Sequence, residues 1–514
     1  MPAGTETELK LRVPPAQWKR LLASPLLHAE RVGREIELEA IYFDTPSRAL
    51  SHNRIAYRVR REGRRWVQTL KGGGAEQSGL HTRIEVEAPL ADAVPQPQQL
   101  PTNAQTGALT ALLRTALASE TLQPVLQTRI RRHQRVITPG RGIRIELAFD
   151  RGTISSGGKR EAVSELELEL KAGPVEALFD LASRLVAAHG LTLEHRSKAE
   201  RGYVLRDAVP PLPVKAQAAL IDKTMDAGAL SRAVIGGALA QVQANSHGVL
   251  CHDDPEFLHQ MRVGLRRLRC AIDLFAPQLG GALETEAAAL REIGRGLSAA
   301  RDWDVLIGEI LPQVFVQPAP GSAALRLQKA CEAARGSAKR KTDLLIKSIS
   351  YNQTMLALGR HLATTPAAAA KVRSAQQVAA KILEARHARV LKRGKHLRRQ
   401  DDEALHRLRI AVKKLRYAVE FFGGLFAASA IQAQRAALTR LQDILGHIND
   451  AAVTAPRLDE ARRQVLRGAQ KNSRRWPKSA ARAVIEWQQT LAAAQRKKLP
   501  AAWRLFGKAP QPWR

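Results

Sequence analysis

The chain has almost no cysteine. Three residues in 514, Cys251, Cys270 and Cys331, are odd in number, scattered, and without metal-ligand spacing, so neither a disulfide framework nor a zinc site is expected. A reducing compartment fits that usage. Long apolar runs are also missing: nothing approaches the roughly 18 to 20 residues of a spanning helix, and the opening MPAGTETELK carries no apolar signal core. A soluble, cytoplasmic protein with no membrane partner is the expectation. No G-x-x-x-x-G-K-[ST] loop occurs, and GGG at 72–74 lacks that context. Aromatic residues make up 4% of the chain and no base-stacking platform is readable, which argues against a specific nucleic acid partner.

What the chain has is positive charge. Its formal net charge is +33, with 31 basic against 24 acidic residues through residue 210 and 50 against 24 beyond it. A field of that sign recruits polyanions. Apolar content of 45% and charged content of 25% mark a globular composition, and 514 residues call for two or three domains.

Two periods divide the chain. Up to about residue 205, period two dominates in IAYRVRR (55–61), RRWVQTLK (64–71), HTRIEVEAPL (81–90), QTRIRRHQRVI (127–137), IRIELAFD (143–150) and SELELELK (164–171), separated in several places by Gly-rich turns. That pattern predicts an antiparallel sheet, with helices at 106–119 and 174–189. The three prolines of DAVPPLPVKA (207–216) predict a linker, taken as 207–221. Beyond it the period is 3.6 and Ala, Leu and Arg dominate, predicting an all-α domain with a break at 312–320 and frayed basic residues after about 496.

Charge alternates along the strands. In TETELKLRV (5–13), Glu6, Glu8 and Lys10 share one face and Thr7, Leu9 and Leu11 the other. Arg58 and Arg60, then Arg83, Glu85 and Glu87, then Glu165, Glu167, Glu169 and Lys171, share faces in the same way. Two helices are too few to cover the opposite faces of an open sheet, so a closed barrel with a charged lumen is the simpler solution. Carboxylates from two strands suit Mg²⁺ or Mn²⁺, which bind substrate phosphate oxygens as well, while arginines and lysines neutralise a polyphosphate tail.

These residues resemble the CYTH, or triphosphate tunnel metalloenzyme, superfamily. TETELKLRV is similar to its E-x-E-x-K signature, and YFDTPSRALSHNRIAYRVRREGRRWVQTLK (42–71) to its next block, with Tyr42, Asp44, Thr45, Arg58, Arg60 and Lys71 in place. SGLHTRIEVEAPL, SELELELK and HRSKAERGY (195–203) extend the likeness over residues 4–206. The resemblance implies an eight-stranded antiparallel tunnel barrel that binds triphosphate with divalent metal. It implies metal ligation by Glu6, Glu8, Glu167 and Glu169, with Glu165 as the alternative if the register shifts by two. Lys10, Arg58, Arg60, Lys71, Arg83, Arg129, Arg131, Lys198 and Arg201 would grip phosphates. Lys10, Glu85 and Glu87 are the candidate catalytic residues, the two glutamates holding a second metal or orienting the attacking water.

In the second half, HQMRVGLRRLRCAIDLF (259–275) returns as HRLRIAVKKLRYAVEFF (406–422), and LREIGRGLSAARDWDVL (290–306) as LTRLQDILGHINDAAVT (438–454). On a helix, His259, Arg262, Arg266 and Arg269 fall within about 80° of one another, as do His406, Arg409, Lys413 and Arg416. Met261, Leu265, Leu268, Ile272 and Phe275 form an adjacent apolar stripe, matched by Leu408, Val412, Leu415, Val419 and Phe422. Two related bundles in pseudo-two-fold arrangement would bring the basic faces together. Asp302, Asp304 and Asp450 serve either as caps or to orient arginines.

The repeated H-x-x-R-x-x-x-[RK]-[RK]-L-R helix resembles the CHAD domain over residues 222–500, as two repeats at about 222–365 and 366–500. That likeness implies binding of long-chain inorganic polyphosphate through the eight residues just named. The combined expectation is an α+β multidomain chain: a barrel hydrolysing inorganic triphosphate joined to an all-α polyphosphate-binding bundle with an internal repeat, in a cytoplasmic protein associated with polyphosphate granules. Thiamine triphosphate and ATP are alternative substrates and a class IV adenylate cyclase a weaker option. The rival is a non-catalytic polyphosphate-binding or granule-targeting protein.

Overall fold

The computed structural model describes residues 5–29, 31–77, 79–207, 211–319, 321–364, 374–395, 397, 401–468 and 476–514. The chain forms two compact units, Met1–Leu212 with Lys347–Thr365, and Pro213–Ile346 with Pro366–Arg514. Residues 208–210 of the Pro-rich segment, and the expected repeat boundary at 365–366, lie outside the described residues. Among the described residues no helix is long and apolar enough to cross a membrane.

The first unit is a closed antiparallel barrel. Its strands are β1 (Thr5–Arg12), β2 (Ile36–Asp44), β3 (Ala56–Glu62), β4 (Arg65–Gln77), β5 (Leu80–Leu90), β6 (Gln123–Gly140), β7 (Ile143–Ser156) and β8 (Lys159–Ala172). They run in the order β1-β5-β4-β3-β2-β6-β7-β8, and β8 pairs with β1 to close the ring. Closure removes sheet edges and gives each strand one inner and one outer face.

Apolar residues on the outer faces find two helical covers. Leu9, Leu11, Leu147, Phe149, Leu166 and Leu168 cluster with Leu178, Phe179, Ala182 and Leu185 of α2 (Glu176–His189), and Tyr57, Val59, Leu70 and Val86 with Leu109 and Leu113 of α1 (Gly107–Leu117). Each such leucine contributes about 1.5–3 kcal/mol. The α2 helix stops at Gly190, whose φ of +61° few other residues adopt. A later segment joins this unit: Leu356 of the helix Ile349–Thr364 enters the first cluster, and Asn352 Oδ1 accepts from Leu193 N at 2.9 Å. Its 3.6 period is legible in the sequence, but its packing partner is not.

Part of the inner face is apolar as well. Leu38, Ala40, Tyr42, Leu126, Ile130, Ile154 and Val163 cluster with Ala199, Tyr203 and Leu205 of α3 (Lys198–Asp207). Gly202 makes that seating possible, because a Cβ there would lie 2.5 Å from Leu126 Cδ2.

The second unit is helical. Its repeat consists of α4 (Pro255–Leu274) with α5 (Glu284–Val305), and α6 (Asp402–Phe422) with α7 (Ala428–Gly468). Both basic helices begin on an aspartate cap at equivalent positions: Asp254 accepts from Glu256 N, and Asp401 from Ala404 N. Both apolar stripes are buried, from Met261 to Phe275 and from Leu408 to Phe422. The expected frayed segment after 496 is instead helical, since Lys478–Lys508 is one helix that buries Leu499, Ala502 and Phe506.

The contacts between α4 and α6 are reciprocal. Arg267 pairs with Glu420, and the equivalent residues in exchanged places, Lys414 and Asp273, pair at 3.0 Å. Phe275 and Phe422, also equivalent, meet edge to face with ring centroids 5.9 Å apart. Contacts in which i meets j′ while j meets i′ belong to a two-fold axis. The internal repeat is therefore packed about a pseudo-two-fold.

Candidate functional site

Strand register decides which charges enter the barrel. Glu6 pairs with Arg83 across β1 and β5, Lys71 with Glu85 across β4 and β5, and Tyr42 with Arg58 across β2 and β3. Lys10 pairs with Glu167, and Glu8 with Glu169, across β1 and β8. Partners share a face, so Glu6, Glu8, Lys10, Arg58, Arg60, Lys71, Arg83, Glu85, Glu87, Glu167 and Glu169 all line the lumen. Its charges are paired: Lys71 Nζ lies 2.8 Å from Glu6 and 3.0 Å from Glu85, Lys10 Nζ 2.9 Å from Glu8, and Lys171 Nζ 2.6 Å from Glu169. Arg58 is 3.8 Å from Glu85, while Arg60 contacts Glu62 and lies 3.5 Å from Glu87.

Two expected phosphate contacts face the other way. Arg129 and Arg131 pair in register with Glu39 and Glu37 on the outer wall, where the Arg129 side chain is 69% exposed. The inward arginine of that strand is Arg132, which the sequence reading missed. Its Nε and Nη2 donate to both oxygens of Asp150 at 2.7 and 2.6 Å, and Nη2 also reaches Glu167 at 2.6 Å.

The acidic grouping also departs from expectation. Among the described residues the trio with oxygens within 4.8 Å of one another is Asp150, Glu165 and Glu167, not Glu6, Glu8, Glu167 and Glu169. Glu165, the register alternative, lies in this trio, and Asp150 joins it from β7 because Asp150 pairs with Glu165. Lys198 Nζ sits in the trio, 2.8 Å from Asp150, 2.9 Å from Glu167 and in contact with Glu165. Burial opposes its charge, but the three carboxylates outweigh it and hold the ammonium pKa well above its usual value. Glu167 responds in kind: despite burial, Lys198, Arg132 and Lys10 hold its carboxyl well below the usual range. Arg201 is 2% exposed and donates to Glu161, Glu165 and the Ala162 carbonyl. It ties α3 to β8. Asp44 likewise holds a turn, accepting from Thr45 N, Leu50 N, Ser51 N and Tyr203 Oη.

A divalent cation fits this wall. Carboxylate oxygen is the donor that Mg²⁺ and Mn²⁺ take. Burial pushes Glu169 up to about 7, and Glu6 and Glu146 add to that against Lys171. A carboxyl held near neutrality beside like charge is one that a cation would ionise.

The basic faces of α4 and α6 flank a pocket of about 560 Å³. Arg266, Arg269, Arg409 and Lys413 line it, joined by Arg291 and Lys414. Burial, with Arg409 and Arg266 close by, pulls the Lys413 pKa down to about 7. Nε of Arg266 and of Arg409 is buried without a hydrogen-bond acceptor. The other four expected residues are not among those lining this pocket. Arg262 donates to Ser298 and lies 3.6 Å from Asp302, Arg416 is held by Gln442 and Glu420, and His406 Nδ1 lies 2.7 Å from Asn449 Oδ1. His259, half-buried near Arg301, is held neutral by burial and the cations around it. Asp302 and Asp304 orient arginines rather than cap helices, pairing with Arg457 at 2.7 Å and Arg335 at 2.5 Å.

The model of the CYTH domain matches residues 4–203 and that of the CHAD domain residues 233–459. The chain contains a CYTH domain and a CHAD domain. The crystal structure of the CHAD domain from the plant Ricinus communis is 30% identical, with a TM-score of 0.51 over 59% of this chain and 98% of that one. An inorganic triphosphatase from Haemophilus influenzae is 37% identical over 164 residues, which are 32% of this chain and 44% of that protein, so the chain spans less than half of that relative. An uncharacterized protein from Mycobacterium tuberculosis is 27% identical over 458 residues, 82% of each.

One further lumen residue of the CYTH barrel escaped the sequence reading. His81, the register partner of Glu8, is 1% exposed, and its Nε2 has no hydrogen-bond partner. Burial, with Lys10 and Arg83 nearby, holds it neutral. The alternation H-x-R-x-E-x-E was the signal that could have included it.

Proposed function

We propose that the CYTH barrel hydrolyses inorganic triphosphate, or a related triphosphate, with Mg²⁺ or Mn²⁺, and that the CHAD pocket holds long-chain inorganic polyphosphate. One observation carries the first part: the lumen gathers acidic and basic side chains that neutralise each other in pairs. A triphosphate entering with a divalent cation would let both members of each pair change partner at once. The bases would take phosphate oxygens and the carboxylates the metal, so no buried charge would be stranded.

Arg58, Lys71 and Arg83 would hold the tail, and Arg132 and Lys10 the end nearer β8. Glu6, Glu8, Glu167 and Glu169, with Asp150 and Glu165 beside them, would hold the metal, which supplies positive charge against the reacting phosphoryl group and leaving diphosphate. Glu85 or Glu87 would orient water for in-line attack and accept its proton. The relative from Haemophilus influenzae, named an inorganic triphosphatase, supports inorganic triphosphate as the first substrate to test. Free Cys251, Cys270 and Cys331 are in keeping with a reducing cytoplasm, where polyphosphate granules would be a natural site of action.

Phosphate release from triphosphate with Mg²⁺ or Mn²⁺ tests the reading, comparing wild type with Glu6→Ala/Glu8→Ala. Turnover by wild type and its loss in the variant is the expected result. A wild type as inert as the variant across triphosphates and metals would leave a binding protein instead.

A further inference from the structure

The CHAD pocket is not lined by charge alone. Ile272, Leu279, Leu283, Ile410 and Tyr417 share the same roughly 560 Å³ with the basic residues. Ile410 is 43% exposed and follows Arg409 directly, on the opposite side of α6 from its buried stripe. A linear polyphosphate is hydrated oxygen along its whole length and gains nothing from an apolar wall. A ligand with phosphates at one end and a flat or apolar body at the other gains from both. The volume is also that of a small-molecule site, which lies in the range of about 300–1,000 Å³.

We propose that this pocket binds a nucleoside polyphosphate, its phosphates on Arg266, Arg409 and Lys413 and its base against Leu279, Ile410 and Tyr417. The buried Nε groups of Arg266 and Arg409, which lack acceptors, supply donors for the phosphates. The base needs only a π-face or apolar surface, so any nucleobase would serve and the recognition is of class rather than identity. The proposal rests on reading this surface as an anion site and adds the apolar half of the ligand.

The test uses the full chain in EDTA, with ATP and inorganic triphosphate as probes and 8-azido-ATP photolabelling followed by peptide mapping to separate this pocket from the barrel. ATP is expected to label peptides containing Ile410 or Tyr417 and to compete for that label about tenfold better than triphosphate. Leu279→Ser/Ile410→Ser should remove that advantage while leaving competition by triphosphate unchanged. Label confined to barrel peptides, or equal competition by ATP and triphosphate in wild type, overturns the nucleotide assignment whether or not long-chain polyphosphate is retained. Pocket labelling without polyphosphate retention would overturn the polyphosphate reading alone.

Discussion

Replacing Lys198 by methionine would remove the one ammonium seated among Asp150, Glu165 and Glu167 while keeping most of the side-chain volume. Asp150 is fully buried and Glu165 2% exposed, so water cannot take the place of the lost charge. Removing one partner of a buried pair costs about 3–5 kcal/mol. The lower end applies here, because Arg132 still contacts Asp150 and Glu167, and Arg201 still contacts Glu165. In a unit of this size roughly 3 kcal/mol corresponds to about 6–12 °C in Tm. The sign with pH follows from the shifts. The raised Lys198 pKa gives stability that is complete below the unfolded lysine value and is lost as pH rises through the folded one. The depressed Asp150 and Glu167 values give stability present above the usual carboxylate range and lost as pH falls. Scanning calorimetry of Lys198→Met in EDTA should therefore show the full deficit at pH 7 and a smaller one near pH 4, where the stranded carboxyls take protons. Added Mg²⁺ or Mn²⁺ should restore part of the deficit at pH 7, since the three carboxylates, one cation short, offer oxygens within 4.8 Å of one another. A variant within 2 °C of wild type at pH 7, or a deficit independent of pH, would refute the reasoning.

The inner and outer faces of β6 should separate sharply. Arg132→Ala should lower triphosphatase kcat/KM by roughly 100-fold or more, about 3 kcal/mol of transition-state stabilisation, whereas Arg129→Ala/Arg131→Ala should stay within about threefold of wild type in the same phosphate-release assay. Charge reversal at Arg262, Arg266, Arg409 and Lys413 should abolish retention of long-chain polyphosphate on a filter while sparing triphosphate turnover; equal retention would remove the polyphosphate assignment. Retention should also weaken with pH. Lys413 is about half protonated at pH 7 when free, and a bound anion raises its pKa, so affinity should fall by up to about tenfold per pH unit above 7. Lys413→Arg should flatten that profile, because a guanidinium keeps its charge.

Much of the architecture was legible because local patterns repeat. Period two placed the charged faces of β1, β3, β5 and β8, and the echo of 259–275 in 406–422 placed α4 against α6 with their buried stripes. What failed was non-local. QTRIRRHQRVI carries Arg131 and Arg132 side by side, so alternation alone leaves the inward face open; pairing of Arg131 with Glu37 and of Arg132 with Asp150 decides it. Asp150 ends a run that reads as a strand terminus, although β7 continues to Ser156. The segment KAERGYVLRD has no apolar stripe to announce a helix. It is helical where Lys198 and Arg201 meet buried carboxylates and Gly202 meets Leu126. The helix Ile349–Thr364 has the period of its flanking chain, and only the packing of Leu356 and Asn352 reveals that it serves the barrel.

The two halves meet the same difficulty, holding cations out of water for an anionic ligand, in opposite ways. In the barrel the bases are neutralised beforehand by carboxylates, as in Lys71 between Glu6 and Glu85. An anion arriving alone would have to expel carboxylates from their partners, and a metal arriving alone would have to expel ammonium and guanidinium groups. Selectivity for a metal–triphosphate pair would then follow from the wall itself, without any group that recognises the pair as such. In the CHAD pocket few carboxylates answer the bases, and the strain is relieved by loss of a proton: burial, with Arg409 and Arg266 close by, pulls Lys413 down to about 7. Such a surface would accept a polyanion with no metal, take up protons as it did so, and weaken with salt as counterions compete. The acidic barrel wall and the proton-depleted helical pocket are two settings of one balance, which would suit a short metal-bound phosphate chain in the first and a long or nucleoside-linked one in the second.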